Sequence, residues 1–213
     1  MEIESKFIAP NERIYSGLEK RGFGVYKVLK IAQKHNLDTY FDTEDHHLYR
    51  SKITYRLRVV NKKKIKVTFK RKVSTKGSLY KREEFEETIN ENDLNDFHER
   101  TLKIQPVHEI NQFIGDRLLH KALVVNNNRT VVILQTPSGH EIEMALDRIV
   151  YSGVHGKAKR SFEIELESIN ATEREIQDAA TALNNAYPRL VPSPDSKYNR
   201  GLKLVGASMD HRS

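Results

Sequence analysis

Charged residues recur at even spacing along many short segments of this chain, and that period limits the folds open to it. In MEIESKF, Glu2, Glu4 and Lys6 lie two apart. Successive side chains of a β-strand point to opposite faces, so these three share one face and Ile3, Ser5 and Phe7 share the other. Even spacing returns in Arg56/Arg58, Lys66/Lys70/Lys72, Arg82/Glu84/Glu86, Glu141/Glu143/Asp147 and Glu163/Glu165/Glu167. The opposite faces carry Ile65, Val67 and Phe69, then Ile142, Met144 and Leu146, then Phe162, Ile164 and Leu166. Two arrangements satisfy such strands. In the commoner one the apolar faces form the core and the charges meet solvent. In the other the charged faces turn inward, where they could hold a polyanion and the metal ions that neutralise it.

Length and composition narrow the classes. The 213 residues suit one domain, expected over 1–205, with 206–213 as a tail. Hydrophobic residues make up 38% and charged residues 31%, but clear periodicity argues against disorder. A net charge of +7 favours anionic partners without choosing among them. The chain has no cysteine, which excludes disulfides, thiolate metal sites and cysteine nucleophiles. Its start lacks the apolar stretch of a signal peptide, and no segment approaches the roughly 20 apolar residues of a membrane span. A cytoplasmic protein, monomer or homodimer, with no membrane partner is expected.

Strands are expected near 2–8, 25–33, 38–43, 53–60, 64–72, 79–88, 118–125, 129–136, 141–149 and 160–168. Asn61–Lys63 turns one hairpin, and Asn126–Asn128 signals another turn. Helices are expected over 11–20, 92–103, 108–115 and 173–186, with a short helical link at 46–51. Pro106 breaks the second, and Thr172 with Glu175 forms a capping box for the last. The fold class is α+β: a large antiparallel sheet with an inserted helical pair. Closing the sheet into a barrel would remove its exposed edges.

The motifs, taken in order, resemble the CYTH superfamily, also called triphosphate tunnel metalloenzymes. The opening Glu-x-Glu-x-Lys matches Glu2, Glu4 and Lys6. DTYFDT, YRLR, VTFK and KREEFEE follow, then Arg129, the acidic strand of Glu141, Glu143 and Asp147, EIELE, and SKYNRG. An ExExK alone is weak, whereas the ordered set from residue 2 to residue 201 is specific. The resemblance implies a closed eight-stranded antiparallel β-barrel with a charged interior and covering helices. It also implies a triphosphate-containing small molecule as substrate, with nucleic acid not expected.

Triphosphate carries several negative charges, which calls for cations on many sides. Arginine grips phosphate oxygens bidentately and lysine acts as a compact charge. By resemblance Arg56, Arg58, Lys66, Lys70, Arg82, Arg129 and Lys197 bind substrate. Mg²⁺ or Mn²⁺ favours oxygen ligands that bridge to phosphate; by the same resemblance Glu2, Glu4, Glu163 and Glu165, then Asp147, are the metal candidates. Lys6 and Glu4 are the expected catalytic pair, with Lys6 orienting a phosphate or offsetting the departing charge. No histidine falls on a motif position, so no side-chain base is assigned.

Other residues have plainer readings. Glu84 and Glu86 can equally pair with neighbouring cations. Glu167 reads as an outer acid, Lys72 as a mouth or surface residue, and Asp38 and Asp42 as fixing a strand end. His46-His47 lacks further ligands for a metal pattern. Tyr40, Phe41 and Tyr55 read as packing residues, and Lys62–Lys64 as a solvated hairpin tip. Three functions remain: a metal-dependent triphosphatase acting foremost on inorganic triphosphate, a class IV adenylyl cyclase making cyclic AMP and pyrophosphate from ATP, and a non-catalytic polyphosphate or RNA binder. At least four acids facing one anion favour catalysis over simple binding.

Overall fold

The computed structural model describes residues 2–76, 79–193 and 195–206. The long strands are β1 (Glu2–Ala9), β2 (Lys27–Asp42), β3 (Ile53–Val60), β4 (Lys64–Lys76), β5 (Leu79–Ile89), β6 (His120–Gln135), β7 (Glu141–Gly153) and β8 (Ala158–Ser168), and β9 is the two-residue Val191–Pro192. Helices are α1 (Tyr15–Arg21), α2 (His47–Arg50), α3 (Leu94–Glu99), α4 (Gln105–Ile114), α5 (Glu173–Ala186) and α6 (Lys197–Val205).

All nine strands form one antiparallel sheet in the order β5-β4-β3-β2-β6-β7-β8-β1-β9. The sheet curls until β1 also meets β5, but only over Glu2–Ser5. Phe7 and Ile8, farther along the same strand, pair with β9 instead. The expected closed eight-stranded barrel is therefore corrected. The architecture is α+β on a single nine-stranded sheet that is not closed into that barrel, and β9 takes part of the edge such a closure would need. The proline-rich segment hid β9, since proline suits only a short edge strand.

Two expected breaks are absent. Residues 25–33 and 38–43 belong mainly to one sixteen-residue strand, β2. Asn126–Asn128 do not turn; they lie inside β6, opposite His35–Leu37 on β2 and Arg148–Val150 on β7. Pairing on both sides overrides the local turn preference of asparagine. The helix expected over 92–103 is shorter, because Arg100 adopts a left-handed φ of 59° and closes α3. Pro106 starts α4 within its first turn rather than separating two helices. Positions 207–213 of the expected tail lie outside the described residues.

Helices cover the apolar sides. The Thr172–Glu175 capping box is formed in α5. That helix turns Ile176, Ala179, Ala180 and Leu183, spaced i, i+3, i+4 and i+7, onto Phe7, Met144, Leu146 and Ile164. Phe97 of α3 and Val107 and Ile110 of α4 pack over Phe41, Tyr55, Val67 and Phe69. Each of the Val, Leu, Ile, Phe and Met side chains among these contributes about 1.5–3 kcal/mol on full burial. The last helix, α6, lies elsewhere: Tyr198, Leu202 and Val205 pack on Tyr40, Leu123 and Tyr151. This brings Lys197, at its first turn, among the charged rows.

Candidate functional site

The charged rows of β1 to β8 and the start of α6 surround a cavity of about 320 Å³. Among the described residues, nine cationic and six anionic side chains line it, an excess of three positive charges. Several line-up partners are set by register. Lys6 stands opposite Glu165, Arg129 opposite Asp147, Asp38 opposite Arg58, and Lys70 opposite Glu84.

Glu165 is the hub of one group. Its Oε1 lies 2.7 Å from Lys6 Nζ and 2.5 Å from Lys197 Nζ, and its Oε2 lies 2.5 Å from Arg129 Nη2. Burial alone would raise its pKa, but Lys197, Lys6 and Arg129 outweigh burial and hold it well below the ordinary carboxylate range. Arg129 donates from Nε and Nη2 to the two oxygens of Asp147, both at 2.7 Å. Lys197 stands 2.9 Å from the same carboxylate. Asp147 is likewise lowered: burial opposes ionisation, but Arg129 and Lys197 prevail. Glu4 is buried next to this group. Its Oε1 lies 3.0 Å from Arg82 Nη1 and 3.3 Å from Lys6 Nζ, yet no hydrogen bond of good geometry reaches that oxygen.

The second group sits on β2 to β5. Arg58 donates to both oxygens of Asp38, and Arg56 Nη1 lies 3.5 Å from the same carboxylate. Burial again opposes, and the two arginines overcome it, lowering the Asp38 pKa to about 2. Lys66 pairs with Glu86, whose other oxygen accepts from Thr68 Oγ1 at 3.1 Å. Lys70 lies 2.9 Å from Glu84.

The candidate cations Arg56, Arg58, Lys66, Lys70, Arg82, Arg129 and Lys197 all line the cavity, as do Lys6, Glu4 and Glu165. Asp147 and Glu163 stand outside its lining. Asp147 is held by Arg129 and Lys197, while Glu163 accepts from Tyr151 Oη at 2.6 Å and lies 3.2 Å from Arg200. The side chain of Glu2 lies outside the described residues. Glu167, read as an outer acid, lines the cavity. Glu84 and Glu86 pair with lysines and line it too. Asp38 was not a candidate, because its aromatic neighbours suggested a strand end; its in-register partner Arg58 was the available signal. Lys34, 4.0 Å from Glu143, was also missed, on a stretch of β2 whose periodicity is weak.

Among the described residues, no group of three or more histidine, aspartate or glutamate side chains is gathered closely enough to hold a metal ion. A hard divalent ion can be held by one or two carboxylates when substrate phosphate and water complete its shell. Glu4, with its unbonded buried oxygen, and Glu165 fit such a role. No helix among the described residues is long and apolar enough to cross a membrane.

The family model that matches is the CYTH domain, over residues 1–202. No curated protein matches the chain in sequence. Several solved structures share its fold. HpAC1 from Hippeastrum, a candidate adenylyl cyclase described as revealing a dominant triphosphatase activity, aligns with a TM-score of 0.65 at 19% identity, covering 100% of both chains. A candidate adenylate cyclase from Bacillus halodurans gives 0.64 at 18% identity, over 92% of this chain and 95% of that one. A protein of Pyrococcus horikoshii OT3 gives 0.58 at 19% identity, over 96% and 99%. With motifs in order, a charge-lined cavity that gathers them and a domain match over nearly the whole length, the chain belongs to the CYTH-domain family.

Proposed function

We propose that the protein hydrolyses the terminal phosphoanhydride of a triphosphate with the help of Mg²⁺ or Mn²⁺, and that inorganic triphosphate is its preferred substrate. The observation that carries this reading is the cavity lining: cations on all sides, an excess of three positive charges, and carboxylates interspersed among them. A polyanion with one divalent ion matches that balance. Among the described residues, the one aromatic side chain in the lining is Tyr40, buried against Tyr198 at a ring separation of 5.3 Å. It offers little face for a purine to stack on, which favours a bare triphosphate over ATP.

In this reading Arg56, Arg58 and Arg129 grip phosphate oxygens, and Lys66, Lys70 and Lys197 add charge around them. Glu4 and Glu165 would hold the divalent ion, which when bound neutralises phosphate charge and makes a coordinated water more acidic. Water attacks the terminal phosphorus in line, and the bond from that phosphorus to the bridging oxygen breaks. The electron pair stays on the departing diphosphate, where Lys6 and Arg82 offset the charge. The oxygen of water leaves in orthophosphate, and its proton passes to a phosphate oxygen or to solvent. No histidine lines the cavity among the described residues, and Glu165, held far below the usual carboxylate range, is a weak base.

A second reading is adenylyl cyclisation, in which the ribose 3′-hydroxyl of ATP attacks the α-phosphorus and diphosphate leaves. The descriptions of the Hippeastrum and Bacillus proteins favour keeping it. Phosphate release from inorganic triphosphate, ATP and thiamine triphosphate, each with Mg²⁺, Mn²⁺ or EDTA, separates the readings. Metal-dependent release from inorganic triphosphate supports hydrolysis. Cyclic AMP and diphosphate from ATP, without that release, would replace it with cyclisation.

A further inference from the structure

The cavity does not end at Lys70 and Arg82. A smaller chamber of about 50 Å³ shares Thr54, Lys70, Arg82 and Ser196 with it and is completed by Lys52, Lys72, Asp195 and Asn199. We infer that this chamber is a subsite for one further phosphoryl group, continuous with the triphosphate site. The inference rests on the triphosphate reading above and extends it. The group is either the fourth phosphate of a longer linear polyphosphate or the orthophosphate released by hydrolysis.

Four observations converge. Lys72 stands directly opposite Arg82 in the β4–β5 ladder. Arg82 is already 3.0 Å from Glu4, so Lys72 is the cation this register adds to the chamber wall. Lys52 reaches the chamber from the turn after α2, with its ammonium 5.1 Å from the Tyr49 ring centre. It holds a left-handed φ of 57°, uncommon for a residue other than glycine. Neither Lys52 nor Lys72 has a carboxylate partner among the described residues, and Asp195, the acid in the chamber, lies 2.8 Å from Lys203. Ser196 and Asn199 bring the N-terminal turn of α6 to the same space, where the helix dipole favours negative charge. The chamber is small and cationic and adjoins the main cavity through Thr54, Lys70, Arg82 and Ser196, which suits a tetrahedral oxyanion and not a base or sugar.

The test uses the full chain and the variants Lys72→Ala, Lys52→Gln and their combination. Both lysines are exposed, and thermal melting checks that the variants fold. Calorimetry without divalent metal measures binding of triphosphate, linear tetraphosphate and orthophosphate. Inhibition of triphosphate turnover by orthophosphate is measured alongside. If a fourth phosphate occupies the chamber, the double variant loses on the order of tenfold in tetraphosphate affinity and keeps its triphosphate affinity. If product occupies it, orthophosphate binding and inhibition weaken by a similar factor while tetraphosphate affinity stays. Unchanged tetraphosphate and orthophosphate binding in the folded double variant, with triphosphate still bound, overturns the subsite alone. Absence of triphosphate turnover by the wild-type chain with Mg²⁺ and with Mn²⁺ overturns the parent reading and this one with it.

Discussion

Asp38 grips Arg58 edge-on, with Oδ1 2.5 Å from Nε and Oδ2 2.7 Å from Nη2. The same carboxylate stands 3.5 Å from Arg56 Nη1, so one buried acid orients two arginines of the cavity. Asp38→Asn keeps the size and removes the charge that holds both guanidinium groups. Loss of charge-assisted bonds at this level costs about 1.5–3 kcal/mol. The expected result is a 10- to 100-fold lower kcat/KM for triphosphate, with KM rising more than kcat falls, since substrate grip is what the arginines supply. Steady-state kinetics on the folded variant checks this. Unchanged KM would mean that the arginines are oriented without Asp38.

Acid should weaken the fold through the same carboxylates. Asp38 falls from an ordinary 3.8 to about 2 in the folded protein. A folded pKa below the unfolded one gives stability that is present above pH 4 and lost as pH falls toward 2. The Asp38 share is about 2 kcal/mol. Glu165 and Asp147 shift in the same direction, so their contributions are also lost on acidification. Thermal unfolding from pH 7 to pH 2 should show little change from these groups down to about pH 5 and a steep drop below pH 4. In Asp38→Asn the drop should be shallower. An equally steep profile in that variant would remove Asp38 from the account.

How much of this was legible in the sequence follows from which forces are local. The even spacing of Glu4 and Lys6, of Arg56 and Arg58, and of Glu163 and Glu165 is written into the backbone of a strand, and it marked the charged faces. The run Asn126–Asn128 misled, because its turn preference is a property of the isolated segment and its fate was decided by β2 and β7 on either side. The divided edge of β1 depends on a two-residue strand distant in sequence, and no periodicity can appear in two residues. Asp147 and Glu163 were legible as inward acids. That they stand behind Arg129, Lys197 and Arg200, and not in the cavity wall, is a matter of packing depth. Asp38 was hidden by its aromatic neighbours, although pairing with Arg58 follows once the register is known.

Gly201 ties the C-terminal motif to the sheet. A β-carbon there would come within 2.4 Å of Leu123 Cδ2 and 2.5 Å of Tyr151 Cδ1, so α6 sits against β6 and β7 only because position 201 lacks a side chain. Gly201→Ala forces the helix outward or the ring aside. Overpacking of this kind costs about 1–3 kcal/mol. The variant should melt several degrees lower and also lose triphosphate affinity, because Lys197 rides on the same helix. A lower melting temperature with unchanged affinity would mean that Lys197 keeps its place when α6 shifts.

Glu4 and Lys6 share the charged face of β1, 3.3 Å apart at their closest atoms, and the proposed roles give them opposite signatures. If Glu4 holds the divalent ion, Glu4→Gln weakens one oxygen ligand. The Mg²⁺ concentration for half-maximal turnover should then rise about 10- to 100-fold, as ligand-shell changes typically produce. If Lys6 offsets charge on the departing diphosphate, Lys6→Ala acts only where that charge develops. Its kcat should fall on the order of 10²- to 10³-fold with the Mg²⁺ dependence unchanged. Titrating Mg²⁺ against triphosphate turnover in both variants, after removing bound metal with EDTA, reads the two effects separately. An identical shift in metal dependence for both would mean that the pair acts as one electrostatic unit, because each side chain then sets the charge felt by the other across that 3.3 Å gap.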